Sequence, residues 1–137
     1  MLPSNYNKYL SGFLVLIGIH SLAVGIGLLI IPLSLLNDFG FDNYTESFFQ
    51  AQGGVFHIAM SIAYFMAGLN SKKSNRLITF IIIVKLIAFI FLISYFLFVS
   101  DILLILFSAI GDGLMGLILL LLFRLSNQKI PGNLISK

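Results

Sequence analysis

The chain has no cysteine and very few charged residues. None of its 137 residues is cysteine, which excludes a disulfide, a thiolate metal site, a cysteine nucleophile and thiol-dependent quinone chemistry within it. Only 9% of the residues are Asp, Glu, Lys or Arg, whereas about a quarter are charged in typical soluble domains. A chain this poor in charge is typical of an integral membrane protein.

Hydrophobic residues take the place of the missing charges. They make up 59% of the chain, and the mean hydropathy is +1.07. The length allows one domain, residues 1–137, whose core forms in lipid. The net charge of +3 and the pI of about 9.3 would suit a nucleic-acid ligand, but Lys and Arg flank apolar runs instead of forming a patch with aromatic residues. We therefore expect no nucleic-acid partner.

Four apolar runs predict membrane-spanning helices at about residues 10–33, 46–69, 76–99 and 102–125. An acidic loop over 34–46, a basic turn over 70–75 and a tight turn at 100–101 join them, and a loosely ordered basic tail covers 126–137. Asn43 and Glu46 resemble a capping box before the second run. Short connections favour antiparallel neighbours, so the predicted fold is an all-α, up-down-up-down four-helix bundle.

The basic residues outside the apolar runs all fall on one side of the predicted bundle. They are Lys8, Lys72, Lys73, Arg76, Arg124, Lys129 and Lys137. The first and third loops contain none, and in membrane proteins the cytoplasmic loops carry the excess of Lys and Arg. We therefore expect both termini in the cytoplasm and the chain in a bacterial cytoplasmic membrane.

Each run carries one strongly polar residue near its middle: His20, His57, Lys85 and Asp112. At about 1.5 Å per residue, each lies roughly 13–16 Å from an interface, close to the centre of a ~30 Å hydrocarbon core. A carboxylate at that depth costs several kcal/mol unless it is protonated, hydrated or paired. We expect the four side chains to converge on one polar layer of the bundle.

Several roles are open for this layer. Lys85 and Asp112 can form a structural pair, or Asp112 can bind a ligand or proton while Lys85 or His57 holds it. Two separately solvated charges are a third possibility. His20 fits a helix interface, and with His57 it could ligate a b-type haem or, with Asp112 added, Zn²⁺. Neither a short-spaced ligand pair nor a basic partner for haem propionates supports these cofactors, so we predict none.

The second run has a small, polar stripe at helical spacing. Its members predict the side that faces the bundle: Gln50, Gly53, Gly54, His57, Ser61, Tyr64 and Gly68. The opposite side is predicted to face lipid and contains Val55, Ile58, Ile62 and Phe65. No catalytic motif is present. The candidate ligand-binding or proton-linked residues are Asp112, Lys85, His57, His20, Gln50, Ser61 and Ser108.

Several features together resemble those of a known family. They are the first run ending at Pro32, the Phe39-Gly40-Phe41 turn, the Gly53-Gly54 pair, the single basic residue of the third run and Gly111-Asp112-Gly113. With these features the chain resembles the small four-helix membrane proteins grouped as DoxX-like or BphX-like. The resemblance implies an accessory membrane protein, in some relatives associated with oxidoreductase systems.

We predict a non-enzymatic accessory protein whose bundle binds membrane lipid, another lipophilic molecule, or the membrane helices of a partner or of a second copy. A proton-coupled small carrier that uses Asp112 is the alternative, and a haem-binding subunit through His20 and His57 is a lesser one. Gly111 and Gly113, on either side of Asp112, are expected to leave room for water or a ligand headgroup.

Overall fold

Four long helices dominate the computed structural model, which describes residues 3–41 and 47–127. They are α1 (Pro3–Ile30), α3 (Phe48–Leu69), α4 (Asn75–Phe98) and α5 (Leu103–Asn127), and a short helix, α2 (Leu33–Asp38), follows α1. Each of the four is long and apolar enough to cross a membrane. The predicted capping box at residues 43 and 46 and the predicted tail from residue 128 onward lie outside the described residues.

The region around α1 and α2 differs most from the prediction. α1 begins at Pro3 instead of residue 10, because the missing N–H of proline costs no hydrogen bond in the first helical turn. It ends at Ile30, short of the predicted residue 33, since a proline at position 32 disfavours helical backbone in the residue before it. Pro32 then precedes α2, so the start of the predicted loop is helical. The other long helices begin and end within two residues of the predicted limits.

α1 and α3 pack as an antiparallel pair along most of their length. Their closest approach is at Gly25 and Gly54, where a methyl group on either glycine would lie 2.8 Å from the other's carbonyl oxygen. Toward the other end of the same seam, Ser11 Oγ donates a hydrogen bond to Gly68 O. Small residues let helix backbones approach closely in lipid, where packing replaces the hydrophobic driving force.

The predicted stripe of α3 is confirmed for most of its members. Those that are buried are Gln50, Gly54, Ser61, Tyr64 and Gly68. On the predicted lipid side Ile62 is exposed, but the prediction is wrong for Ile58 and Phe65. A methyl group on Gly25 would meet Ile58, and one on Gly18 would meet Phe65, each at 2.8 Å. These two glycines of α1 leave notches that the larger side chains of α3 fill.

The remaining contacts complete an up-down bundle, as predicted. α4 packs mainly on α5, α5 also contacts α1, and α3 and α4 touch over a short stretch only. The buried core lies toward the end where a 3₁₀ helix (Ser71–Lys73) joins α3 to α4. Its members are Leu10, Leu14, Ile17, Met60, Tyr64, Ala67, Ile78, Ile81, Ile82 and Leu119. The polar layer lies next to this core.

Candidate functional site

Lys85 of α4 and Asp112 of α5 form the ion pair expected between adjacent helices. Lys85 Nζ lies 2.5 Å from Asp112 Oδ1, and the two side chains are 5% and 17% exposed. Gly116, one turn beyond Asp112, lets α4 and α5 approach, because a methyl group there would lie 3.2 Å from Lys85 Cβ. The predicted pair is confirmed, and it is the one ion pair within the described part of the chain.

The ammonium group of Lys85 also faces an aromatic ring of α3. Lys85 Nζ lies 5.6 Å from the centre of the Tyr64 ring, which is within the range of a cation–π contact. Tyr64 is buried. Lys85 therefore contacts two neighbouring helices: its ammonium group pairs with a carboxylate of α5 and faces an aromatic ring of α3. The polar stripe placed Tyr64 on the correct side of α3 but did not reveal this partner.

A cavity of about 670 Å³, the lateral cavity, lies between α1 and α5. Its polar lining is His20, His57, Ser108 and Asp112. Its apolar lining is Phe13, Leu16, Ile17, Val24, Leu92, Phe107, Gly111, Leu114, Met115 and Ile118. Leu16, Phe107 and Leu114 are 59%, 66% and 55% exposed. Because these side chains lie on the outer surface of the bundle, the cavity opens sideways, where lipid surrounds a membrane helix.

A second cavity of about 300 Å³, the rear cavity, lies between α3 and α4. Its lining is Phe56, His57, Met60, Tyr64, Val84, Lys85, Ala88, Phe91, Leu92 and Asp112. His57, Leu92 and Asp112 border both cavities. Asp112, the acid of the ion pair, is therefore part of the wall between them.

Ser21 of α1 orients His57. Ser21 Oγ donates a hydrogen bond to His57 O over 2.9 Å and also lies 3.3 Å from His57 Nδ1. The two contacts hold the ring of His57 against α1. Sequence reasoning missed Ser21, whose signal was its position as a polar residue in an apolar run beside His20.

Two predicted site residues line neither cavity. Gln50 Nε2 donates hydrogen bonds to Leu28 O over 2.7 Å and to Ile31 O over 2.8 Å, so its amide satisfies carbonyls at the end of α1. Ser61 Oγ donates to Ile58 O within α3 over 2.7 Å. Gln50 thus joins α3 to the end of α1, whereas the Ser61 hydrogen bond stays within α3.

Of the two glycines beside Asp112 that were expected to leave room for water or a ligand headgroup, one has open space around it. A methyl group on Gly111 would have nothing within 4 Å, and this residue lines the lateral cavity. A methyl group on Gly113 would lie 2.8 Å from the Phe89 ring, so Gly113 serves helix packing. Gly111 therefore leaves open space in the lateral cavity, which Asp112 also lines.

The polar side chains of the lateral cavity do not form a metal site. Among residues 3–41 and 47–127 no group of three His, Cys, Asp or Glu residues is arranged to hold an ion, so the geometry gives no support to Zn²⁺ binding by His20, His57 and Asp112. Both imidazoles do line one cavity, as haem ligation would require, but no lysine or arginine is among the described residues that line it. Haem propionates would have no basic partner there.

Comparison of the sequence with protein-family models and curated proteins, and of the fold with solved structures, finds no match.

Proposed function

We propose that the protein is a non-enzymatic membrane protein that binds a lipophilic molecule in the lateral cavity. The observation that carries this proposal is an apolar volume of about 670 Å³ with a few polar side chains in its lining. Ligand pockets typically enclose about 300–1,000 Å³ and combine a mostly apolar lining with a few polar groups that fix orientation. The sideways opening supports entry of the ligand from the bilayer.

The polar side chains favour a ligand with an uncharged, hydrogen-bonding head. Lys85, 2.5 Å away, balances the charge of Asp112, so a charged head would be left unpaired at this depth. A ligand hydroxyl can instead donate to the Asp112 carboxylate or to Ser108 Oγ, whose own hydrogen is donated to Leu104 O over 2.8 Å. A ligand hydroxyl or carbonyl can bond to an imidazole. The remaining ring or chain would then lie against Phe13 and Phe107, which line the same cavity.

A binding role agrees with the way in which the polar groups are held. Asp112 is hydrogen-bonded to Lys85, and the ring of His57 contacts Ser21. Each side chain is therefore fixed in the cavity wall by a residue of a neighbouring helix. The resemblance to DoxX-like proteins extends the proposal to an accessory role. The bound molecule would then serve a partner protein in the membrane, or the partner's helices would themselves bind at the opening of the lateral cavity.

We place the protein in a bacterial cytoplasmic membrane with both termini on the cytoplasmic side. The support is the separation of charge along the bundle. The described basic residues outside the polar layer lie at one end, and they are Lys8, Lys72, Lys73, Arg76 and Arg124. The described acids outside the polar layer, Asp38 and Asp101, lie at the other end. An excess of Lys and Arg marks the cytoplasmic side.

Gly111 allows the lateral cavity to be filled without disturbing the bundle. In Gly111→Leu the new side chain enters open space, and the helix gains intrinsic stability because glycine is a poor helix former. We expect this variant to fold and to lose its ligand. Native mass spectrometry of the full chain, extracted from its membrane in a mild detergent, measures the small molecule that remains bound.

Gly27→Leu is the matched control for this experiment. Gly27 does not line the lateral cavity, and the nearest atom to a methyl group there is Ile31 Cδ1 at 3.8 Å. The wild-type chain and Gly27→Leu should carry the same small-molecule adduct, and Gly111→Leu should not. An unchanged adduct in Gly111→Leu, or no adduct in the wild-type chain, would contradict the proposal.

A proton-coupled carrier is the second candidate, because Asp112 borders both the lateral and the rear cavity. Acidic residues inside the membrane commonly belong to proton relays in pumps and transporters. The variant Asp112→Asn combined with Lys85→Met separates the two functions. It should retain the adduct if the protein only binds a ligand, whereas a carrier would lose ligand-driven proton uptake into proteoliposomes.

A further inference from the structure

A third cavity, at the basic end of the bundle, has no part in the proposed function. This basic cleft, of about 520 Å³, lies between the beginning of α1 and the end of α3 with the 3₁₀ helix that follows. Its lining is Asn7, Lys8, Ser11, Gly12, Gly68, Leu69, Asn70, Ser71 and Lys72. Lys8 comes from one wall and Lys72 from the other, and both side chains are exposed.

The two lysines of the basic cleft are not neutralised by any carboxylate of the described residues. The ion pair of that part of the chain is Lys85–Asp112, which lies deep in the bundle. Lys73 and Arg76 line an adjoining cleft that shares Lys72, so they add positive potential on the same side. Unneutralised cations that converge on one cleft raise the local concentration of anions.

The basic cleft also borders an exposed apolar side chain. Leu69 lines it and is 83% exposed, and it belongs to a helix that is apolar and long enough to cross a membrane. A methyl group on Gly12 would have nothing within 4 Å, so there is open space beside this exposed residue of the cleft. The cleft thus combines two cationic groups with the apolar surface of Leu69.

We propose that the basic cleft binds an anionic membrane phospholipid, with the phosphate between Lys8 and Lys72 and the first part of an acyl chain along Gly12 and Leu69. Lysines at the end of a membrane helix attract anionic headgroups, and the carbonyl of Gly68 does not oppose this because Ser11 Oγ already donates to it. This site is independent of the lateral cavity.

Binding is tested on the full chain in dodecyl maltoside by native mass spectrometry and by the shift in melting temperature. The probes are dioleoylphosphatidylglycerol, dioleoylphosphatidylcholine and inorganic phosphate. We expect the phosphatidylglycerol to bind and stabilise the chain, and the other two not to do so at the same concentration. The double variant Lys8→Gln/Lys72→Gln should weaken binding about 30-fold, which is about fivefold for each lysine.

Two further variants control for net charge and for folding. Arg124→Gln removes a basic residue that does not line the cleft, and it should bind as the wild type does. Gly12→Leu places a side chain in the open space of the cleft, and it should weaken binding without lowering the melting temperature measured in the absence of lipid. Equal binding of phosphatidylcholine, the same shift with inorganic phosphate, or an equal loss in Arg124→Gln and in the double variant would each overturn the proposal.

Discussion

Asp112 stands in an otherwise apolar helix, and at the scale of single residues its neighbours determine what it can do. Its carboxylate accepts a hydrogen bond from Lys85 Nζ over 2.5 Å, and Lys85 in turn faces the Tyr64 ring. The open space at Gly111 lies on the side of the lateral cavity. The carboxylate is thus compensated on one side and accessible to a ligand on the other.

We predict that removing one member of the ion pair is more harmful than removing both. Breaking a buried pair typically costs about 3–5 kcal/mol because the surviving charge is uncompensated, whereas replacing both members with apolar groups is often nearly neutral. Lys85→Met and Asp112→Leu should therefore each lower the yield of folded protein. The double variant should recover much of it, as measured by size-exclusion chromatography after extraction in detergent.

His57→Leu is the comparison for this prediction, because His57 borders the same two cavities as Asp112. It should cost less than either single variant, since it leaves the charges paired. A harmless Lys85→Met together with a damaging His57→Leu would mean that the histidine, and not the lysine, stabilises the acid.

The sequence predicted the members of the polar layer better than their contacts. Helix ends and the rise per residue predicted His57 and Asp112 at almost the same depth and Lys85 within reach of them, because depth depends on residue count alone. They did not show that His20, the fourth predicted member, is exposed. Helical spacing also placed Gln50 and Ser61 on the correct side of α3. Spacing does not tell which carbonyl an amide or hydroxyl will meet, and both bond to backbone away from the cavities.

At the scale of helices, the Gly25–Gly54 contact sets how closely α1 and α3 can pack. We predict that Gly54→Ala lowers the melting temperature in detergent, because the new methyl group would lie 2.8 Å from Gly25 O, a backbone atom that cannot move aside easily. Overpacking of this kind typically costs about 1–3 kcal/mol.

The adjacent Gly53→Ala is the control for this contact. Its methyl group would lie 3.7 Å from Leu28 Cδ1, which is an ordinary contact, and the helix gains about 1 kcal/mol of intrinsic stability. This variant should melt at or above the wild-type temperature. Equal melting temperatures for the two variants would show that the glycine contact does not limit helix packing.

The sequence was sufficient for the number and approximate limits of the long helices, because length and hydropathy determine both. It was not sufficient for which apolar residues of α3 face α1. Ile58 and Phe65 look like lipid-facing residues until the notches at Gly25 and Gly18 are placed opposite them. That pairing depends on the register between two helices, which one helix's own pattern does not contain.

At the scale of the whole molecule, we predict the orientation in the membrane from which end of the bundle is basic. The chain has no native cysteine, so single cysteines can be placed at the two ends of α4, at Asn75 and Ser100. In intact cells an impermeant maleimide should label Ser100→Cys, and it should label Asn75→Cys only after the cells are permeabilised. Labelling of Asn75→Cys in intact cells would reverse the orientation.

The central claim, that a lipophilic ligand occupies the lateral cavity, is tested most directly by photocrosslinking in the native membrane. Benzoylphenylalanine replaces Phe107, which lines that cavity, or Phe48, which lines neither cavity and is similarly exposed. Mass spectrometry of the irradiated protein should show one dominant small-molecule adduct at position 107 and a mixture of bulk phospholipids at position 48. The same phospholipid mixture at both positions would contradict the account.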